Sequence, residues 1–261
     1  MESVIVFTSS YRFVEILEIF VNVRTIICER SSQNLMLFNY SKWRGIPLLL
    51  VDKENEILKE KPEDIRWGLS YGFGIIFKEP TISKFQKGIW NIHTGELPYY
   101  RGRHPITWAF IKGENKIGVT IHQIDKQIDV GKLLARGHIH REMNDDLNVI
   151  ESKIFSLLKN QLINNAIENY NKGKIKNIKK GEYLKSFFNG ISIESVNKVS
   201  SSFLFNAIRA QKKYGGVNVE GKIYFDAYFY DDQFAKTLTE ADIVECRDGV
   251  KIALFKKKFV A

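Results

Sequence analysis

Short apolar segments alternate with amphipathic segments along residues 4–93, and this alternation limits the fold more than any other feature of the sequence. The apolar segments are typical of buried strands. They are Val4–Phe7, Val23–Cys28, Ile46–Val51, Gly74–Phe77 and Gly88–His93. After the first of them, Thr8-Ser9-Ser10 can cap a helix that runs from Tyr11 to about Val21. Strands that alternate with helices predict an α/β protein with a Rossmann-like, doubly wound and mainly parallel sheet.

The segment after residue 93 is rich in proline and glycine, which predicts a long ordered loop before a short helix that begins at Pro105. Two alternating segments then predict strands, and Asn144–Asp146 can cap a long helix that reaches about Tyr170. These strands are Val119–Ile124 and Lys132–His140.

The basic, glycine-containing stretch Asn171–Lys185 predicts a boundary between a large domain at 1–185 and a small C-terminal α+β appendage at 186–261. In the appendage, Ser192 can cap a helix that reaches about Gln211. Short strands are predicted at Lys222–Tyr230, Ile243–Arg247 and Val250–Phe255, with Asp248-Gly249 as a hairpin turn between the last two.

The formal net charge of +9 permits two interpretations. It can mark an anionic partner, such as nucleic acid, a nucleotide or a membrane surface, or it can reflect lysines that are simply solvated. The lysines are scattered, with local concentrations only at Lys172–Lys180 and Lys256–Lys258. Nucleic acid is therefore not the partner that we expect.

The composition does not favour a metal, disulfide or membrane protein. Cys28 and Cys246 have neither metal-ligand spacing nor the pattern of a disulfide framework, and His138 with His140 would be too few ligands for a catalytic zinc. The longest apolar run is Ile46–Val51, whereas a membrane span needs about 20 residues. The acidic start of the chain does not resemble an export signal, so we expect a cytoplasmic protein without a membrane partner.

Asn91 and His93 lie at the end of a predicted strand, just before the proline- and glycine-rich loop. Alternate strand residues share a face, so the two side chains project together where open α/β sheets bind ligands. Alone, such a pair favours a structural role as a hydrogen-bonded histidine and a loop-capping asparagine. Asp125 and Asp129 add two carboxylates in the loop between two predicted strands, and one can hold the loop while the other faces a site.

An ordered set of motifs lies between residues 91 and 131, namely Asn91-Ile-His93, Leu97-Pro98-x-Tyr-Arg-Gly102, Pro105, Trp108-Ala109, Gly118-Val-Thr-Ile-His122, Asp125 and Ile128-Asp129-x-Gly131. This set resembles the folate-dependent formyltransferases. That family includes glycinamide ribonucleotide formyltransferase, methionyl-tRNA formyltransferase and the nucleotide-sugar N-formyltransferases. The resemblance implies an enzyme that moves a formyl group from N10-formyltetrahydrofolate to a primary amine without a metal.

The resemblance also implies roles for individual residues. Asn91, His93 and Asp129 match the catalytic set: the first two would donate hydrogen bonds to the oxyanion, and Asp129 would take the proton of the amine. The folate would lie beside two segments, largely through backbone contacts. These segments contribute Gly72, Phe73, Gly74, Ile75, Ile76 and Phe77 on one side, and Asp125, Gln127 and Ile128 on the other.

The residues after His93 point to one branch of the family. Many members have proline and serine there, whereas this chain has Thr94-Gly95-Glu96, which together with Tyr100–Pro105 resembles the nucleotide-sugar branch. The implied acceptor is a nucleotide-linked 4-amino-4,6-dideoxyhexose used for bacterial surface polysaccharide (O-antigen), and the nucleotide can be dTDP, GDP or UDP. Its pyrophosphate could be received at a helix N-terminus, although the same residues can simply cap that helix. They are Ser9, Ser10, Tyr11 and Arg12. Arg103 and His104 either contact the sugar nucleotide or are solvated.

Two other functions stay open, and so does the oligomeric state. One is methionyl-tRNA formyltransferase; the other is a non-catalytic basic module that binds nucleotides or RNA. We expect a homodimer, because an aromatic cluster in the last strands must be buried either against the chain's own core or against a second subunit. The cluster is Tyr224, Phe225, Tyr228, Phe229 and Tyr230.

Overall fold

A computed structural model describes residues 1–57, 64–187 and 190–256. Residues that contact one another form two units. Unit 1 contains residues 1–101, 118–139 and 153–182, and unit 2 contains residues 102–117, 140–152 and those from 183 onwards. The domains 1–185 and 186–261 stay a prediction. Unit 2 differs from the predicted appendage because it also contains residues 102–117 and 140–152.

Strands and helices alternate up to residue 93, as the apolar pattern predicts. These elements are β1 (Ser3–Thr8), α1 (Tyr11–Leu17), β2 (Asn22–Glu29), α2 (Leu35–Arg44), β3 (Leu48–Val51), α3 (Glu54–Ile57), β4 (Trp67–Tyr71), α4 (Glu79–Ile82) and β5 (Ile89–His93). The next elements are β6 (Arg101–Gly102), α5 (Pro105–Ile111), β7 (Lys116–Gln123), β8 (Lys132–His140), α6 (Leu147–Leu157), α7 (Ile163–Asn171) and β9 (Lys176–Asn177). The remaining elements are β10 (Tyr183–Leu184), β11 (Ile191–Ile193), α8 (Ser201–Gln211), β12 (Val217–Val219), β13 (Lys222–Tyr224), β14 (Asp226–Phe229), β15 (Asp242–Glu245) and β16 (Lys251–Phe255).

Within the described residues, the large sheet has eight strands in the order β3-β2-β1-β4-β5-β7-β8-β9. The five strands from β3 to β5 in this order are parallel to their neighbours, whereas β7 runs antiparallel to β5. The central strand β1 is apolar and fully buried from Val4 to Phe7, as a strand covered on both faces should be. The predicted α/β fold with a Rossmann-like, mainly parallel sheet is confirmed.

The fourth strand lies earlier in the chain than predicted. We expected it at Gly74–Phe77, but β4 pairs with β1 and β5 over residues 67–71. Gly72 then adopts a φ of 63°, and the chain leaves the sheet in a loop. Phe77 is buried against Phe7, with ring centroids 4.9 Å apart, so the loop has the apolar character of a strand without the strand pairing.

The second half of the chain also differs from the prediction in detail. Ser192 lies in β11, and the helix that it was expected to cap begins later, where Ser200 accepts a hydrogen bond from the Phe203 N–H at 3.2 Å. The predicted strand Lys222–Tyr230 is divided into β13 and β14, and β12 was not predicted. The long predicted helix contains a π-helical turn at Leu158–Leu162 between α6 and α7. In unit 2, α8 packs against β12, β14 and β16 around a buried apolar cluster.

Candidate active site

Strands β5 and β7 place three polar side chains on one face of the sheet. Asn91 and His93 alternate along β5, and the antiparallel register puts His122 of β7 directly opposite Asn91. Opposed residues of an antiparallel pair share a face. Accordingly, Asn91 Nδ2 lies 3.4 Å from His122 Nε2, and the His93 and His122 rings have centroids 6.4 Å apart.

Asp129 completes this cluster from the loop between β7 and β8. The residue is buried, and its φ of 56° turns the backbone so that the carboxylate meets both histidines. Its Oδ1 lies 3.4 Å from His122 Nε2 and 3.7 Å from His93 Nδ1. The structure therefore brings together the predicted residues Asn91, His93 and Asp129, and it adds His122.

The backbone partners of the two histidines define their tautomers. His93 Nε2 lies 2.5 Å from the Tyr100 carbonyl, and His122 Nδ1 lies 2.9 Å from the Gln123 carbonyl. A carbonyl only accepts hydrogen bonds, so each of these nitrogens carries a proton. In the neutral rings, the remaining nitrogens then point lone pairs at Asp129. The carboxylate would attract an additional proton on either nitrogen, so the cluster offers a place for a transferred proton.

Burial has the largest effect on the pKa of His93 and lowers it from 6.5. Asp129 and the Tyr100 carbonyl raise this pKa and the nearby His122 lowers it, and the net result is a lowered pKa. His93 is therefore neutral at pH 7, and its Nδ1 accepts a proton rather than donating one. This state suits a base better than the oxyanion donor that we predicted for His93. The amide of Asn91 has a second N–H beyond the one directed at His122, so it can donate to a ligand.

His122 is a site residue that the sequence reasoning did not assign. It was quoted within the motif at residues 118–122, but its role depends on which residue of β5 it opposes. The signal that could have identified it was the alternation along β7. Thr120 and His122 share a face, so aligning that strand with Asn91 and His93 would have placed a second imidazole in the site.

Arg101 holds the loop that carries Asp129. It is buried, and it donates hydrogen bonds through Nη2 to the Ile128 carbonyl and through Nη1 to the Gly181 carbonyl, each at 2.7 Å. The Ile128 carbonyl belongs to the peptide that precedes Asp129. Arg101 therefore fixes the backbone that sets the direction of the carboxylate.

The two predicted folate segments lie near each other beside this cluster. Phe73 and Ile75 of the first segment pack against the same apolar cluster as Ile124, which precedes the second. Lys126 Nζ also lies 3.6 Å from the Glu79 carboxylate, between the second segment and α4. In the first segment, Gly74 donates its N–H to Glu29, Phe73 stacks on Phe77, and Ile76 is 62% exposed. In the second, Asp125 accepts from the Lys126 N–H at 2.6 Å, and Gln127 and Ile128 are exposed.

The predicted pyrophosphate residues have structural partners of their own. Ser10 Oγ accepts from the Phe13 N–H at 3.3 Å, so it caps α1 as the alternative interpretation held. The Ser9 carbonyl accepts from Asn34 at 2.9 Å, and Tyr11 lies 5.9 Å from the Tyr40 ring. The Arg12 guanidinium lies 4.9 Å from the centroid of the Phe155 ring.

Arg103 and His104 belong to unit 2, whereas the cluster belongs to unit 1. Arg103 is exposed. His104 has a φ of 59°, and its Nδ1 accepts from the Phe187 N–H at 3.0 Å. Burial and the neighbouring Arg103 both lower the pKa of His104, which agrees with this acceptor role.

Within the described ranges, the structure groups no three histidine, cysteine, aspartate or glutamate residues in a way that could hold a metal ion. The same residues contain no helix with both the length and the apolar character that crossing a membrane requires.

Comparison with known proteins supports the resemblance. Residues 61–166 match the family model described as formyl transferase. A methionyl-tRNA formyltransferase of Caldanaerobacter subterraneus is 36% identical over 85 residues, which are 33% of this chain and 28% of the relative. A methionyl-tRNA formyltransferase of Borreliella burgdorferi is 33% identical over 127 residues, which are 49% of this chain and 40% of the relative. The chain thus matches well under half the length of either relative.

Solved structures match over much more of the chain. An N-formyltransferase of Helicobacter canadensis, in complex with folinic acid and dTDP-3-aminofucose, has a TM-score of 0.70 at 19% identity. The match covers 98% of this chain and 100% of that one. A 4-N formyltransferase of Francisella tularensis has a TM-score of 0.64 at 20% identity, over 84% of this chain and 92% of that one. The chain therefore has the fold of these formyltransferases, and its residues 61–166 match the formyl transferase family model.

Proposed function

We propose that the protein transfers a formyl group from N10-formyltetrahydrofolate to the primary amine of a nucleotide-linked amino sugar. The observation that carries this proposal is the meeting of Asn91, His93, His122 and Asp129 in one buried cluster within unit 1. It is supported by the formyl transferase match and by the full-length structural similarity to an N-formyltransferase that was solved with folinic acid and dTDP-3-aminofucose.

The cluster supplies the groups that this reaction needs. A bond forms between the amine nitrogen and the formyl carbon, the bond between that carbon and folate N10 breaks, and one proton moves from the amine to N10. Asp129 and the neutral His93 Nδ1 accept the amine's proton and return it to the leaving nitrogen. Asn91 Nδ2 donates to the formyl oxygen as negative charge develops there, and loss of such a donor typically costs about 3–4 kcal/mol of barrier.

The loops beside the cluster fit the pteridine part of a folate. A side chain on Gly72 would meet nothing within 4 Å, so there is open space above the first loop. Ile76 and Ile128 are exposed apolar side chains on the two loops, which suits a flat aromatic ring. We propose that residues 72–77 with Asp125, Gln127 and Ile128 hold the co-substrate, which supplies the activated formyl group.

For the acceptor, we propose the 4-amino-4,6-dideoxyhexose that the 94–105 segment suggests, used in O-antigen synthesis in the cytoplasm. The names of the structural relatives point to different amine positions, since one is in complex with dTDP-3-aminofucose and another is named a 4-N formyltransferase. Ser9, Tyr11, Arg12, Arg103 and His104 remain proposed contacts of the nucleotide. Ser10 fits this role less well, because its hydroxyl caps α1.

We also propose a homodimer. Tyr224 is buried and Phe225 and Tyr230 are half-buried, which agrees with a folded-back core for part of the aromatic cluster. Tyr228 and Phe229 remain exposed on β14, so they are available to a second subunit. Light scattering on the purified protein measures the mass that decides this point, and a monomer at every concentration would contradict it.

Methionyl-tRNA formyltransferase is the second candidate, and the sequence relatives favour it. Both curated relatives described above carry that name at identities above 30%. The chain covers only part of their length, however, and the structural similarity to the N-formyltransferase in complex with dTDP-3-aminofucose extends over nearly the whole chain.

A transfer assay separates these candidates. The purified protein is incubated with N10-formyltetrahydrofolate and a panel of dTDP- and GDP-linked 4-amino and 3-amino sugars, charged initiator tRNA and glycinamide ribonucleotide. Turnover of an amino sugar that is lost in His93→Gln and retained in His140→Gln supports the proposal, because His140 is an exposed histidine. Formylation of the tRNA alone would favour the second candidate. Binding of nucleotides without turnover of any acceptor would favour a non-catalytic module.

A further inference from the structure

The loop that follows His93, residues 95–101, is fastened to the two neighbouring strands by contacts that the proposed reaction does not itself require. We call it the 95–101 loop. It contains Glu96, three residues after His93. Its position matters to the chemistry because it carries the Tyr100 carbonyl, which holds the proton of His93 Nε2.

Glu96 fastens this loop to β8. Its Oε2 accepts from His138 Nε2 at 3.1 Å, and its Oε1 lies 3.6 Å from Arg136 Nη1. Arg136 also donates to the Leu97 carbonyl through Nη2. His138 and Arg136 lie two residues apart on β8, so one carboxylate engages two side chains on the same face of that strand.

The backbone on either side of Glu96 is fastened to β7. Thr120 Oγ1 donates to the Gly95 carbonyl at 2.8 Å and accepts from the Leu97 N–H at 3.2 Å. Gly118, two residues earlier on β7, leaves the space for Glu96, since a Cβ on Gly118 would lie 2.5 Å from Glu96 Cβ. Glu96 is therefore held on both sides, by a glycine of β7 and by two basic side chains of β8.

A short hydrogen-bond path leads from Glu96 to His93. The Glu96 carbonyl accepts from the Tyr99 N–H at 2.9 Å and from the Tyr100 N–H at 3.3 Å, which forms the turn that precedes Tyr100. The carbonyl of Tyr100 then accepts from His93 Nε2. Displacement of Glu96 would move this carbonyl and release the constraint that directs His93 Nδ1 towards Asp129.

We infer that Glu96 is a positioning residue: its contacts with Arg136 and His138 hold the 95–101 loop so that the Tyr100 carbonyl fixes the tautomer and orientation of His93. The catalytic consequence rests on the proposed function, whereas the structural consequence does not. Because Glu96 acts through His93, its loss should lower kcat, and the KM values should stay near those of the wild type.

The first test reads the histidine directly. Nitrogen NMR of histidine-labelled protein should show His93 as the Nε2–H tautomer in the wild type, with the His93→Gln variant providing the assignment. In Glu96→Ala the His93 signals should shift towards a mixture of tautomers, and in Glu96→Gln, which keeps one acceptor oxygen, they should shift less. Glu142→Ala is the matched control, because Glu142 contacts His140 at 3.5 Å in an exposed pair. Unchanged His93 signals in a folded Glu96→Ala variant would overturn the inference. If Glu96→Ala does not fold, unchanged His93 signals in Glu96→Gln would overturn it instead.

The second test is kinetic. Misplacement of a reacting group by about 1 Å can cost about a hundredfold in rate, so Glu96→Ala should lower kcat by about ten- to a hundredfold. Glu96→Gln should recover part of this loss, and Glu142→Ala should match the wild type. Altered His93 signals in a protein that turns over no acceptor would support the positioning role and refute the proposed function. An unchanged kcat in Glu96→Ala, in a protein that is active, would overturn the positioning role.

Discussion

Replacement of Asp129 by asparagine should separate the chemistry of the cluster from its stability. Asparagine has nearly the shape of aspartate and tolerates the positive φ of 56° at this position. It cannot accept the amine's proton, however. The expected result is a kcat lowered by about a hundred- to ten-thousandfold, the usual contribution of general acid–base catalysis.

The same substitution should have little effect on the stability of the fold. In the tautomers that the Tyr100 and Gln123 carbonyls select, Asp129 Oδ1 faces His122 Nε2 at 3.4 Å and His93 Nδ1 at 3.7 Å, and neither nitrogen donates to it. The amide that Asp129→Asn introduces would be able to donate to His122 Nε2, and a hydrogen bond of this kind contributes about 0.5–1.5 kcal/mol net. The free energy of unfolding should therefore stay within about 1 kcal/mol of the wild-type value. Asp129→Ala, which offers no donor and is strained at this φ, should instead lose about 1–2 kcal/mol.

Single-turnover kinetics and urea unfolding measure the two effects. Asp125→Asn is the matched control, since Asp125 lies in the same loop but is exposed. Activity within a few-fold of the wild type in Asp129→Asn would show that the carboxylate does not move the proton. A clear loss of stability in Asp129→Asn would show that the two imidazoles donate to the carboxylate in the folded state, and the assignment of tautomers would be wrong.

Three further changes test the surroundings of the cluster. Burial lowers the pKa of His93 below its unfolded value of 6.5. The stability that the neutral ring contributes is therefore present above about pH 6.5 and is lost as the pH falls towards the folded pKa. His93→Gln should reduce this pH dependence of the melting temperature between about pH 5 and 7.5. Gly118→Ala should lose about 1–3 kcal/mol of stability by displacing Glu96, and a urea midpoint equal to the wild type would contradict the close packing. In Arg101→Lys, a single ammonium cannot reach both the Ile128 and the Gly181 carbonyl. This variant should lose about 1–3 kcal/mol of stability in urea unfolding, and its kcat should fall. An unchanged kcat would show that the orientation of Asp129 does not depend on Arg101.

The overall fold was predictable because burial is encoded locally. A segment such as Val4–Phe7 is apolar at every position and short, so it can hardly be anything but a covered strand. The same rule misplaced the fourth strand: Phe77 is apolar because it fills the core beside Phe7, and apolar character alone does not distinguish a packed loop from a paired strand. The prediction that Ser192 caps a helix was wrong for a similar reason, because serine suits a helix cap, a turn or an exposed strand position equally well.

The candidate site was predictable only in part of its membership, since His122 was not assigned. The alternation of Asn91 and His93 gives a shared face, and the resemblance adds Asp129, but which nitrogen of each imidazole faces the carboxylate depends on the Tyr100 and Gln123 carbonyls. Those contacts arise from the path of the backbone after each strand. The residue types at positions 100 and 123 do not predict these contacts, since every residue has a backbone carbonyl.

Two consecutive residues of the 95–101 loop connect the two halves of the candidate base. The carbonyl of Tyr100 holds His93, and the side chain of Arg101 holds the peptide that precedes Asp129. A shift of the loop would thus move both groups at once and alter the 3.7 Å gap between them. Glu96 fastens the same loop to β8 through Arg136 and His138. The position of the 95–101 loop is therefore coupled to the geometry of the candidate proton-transfer site, and these three side chains set it together.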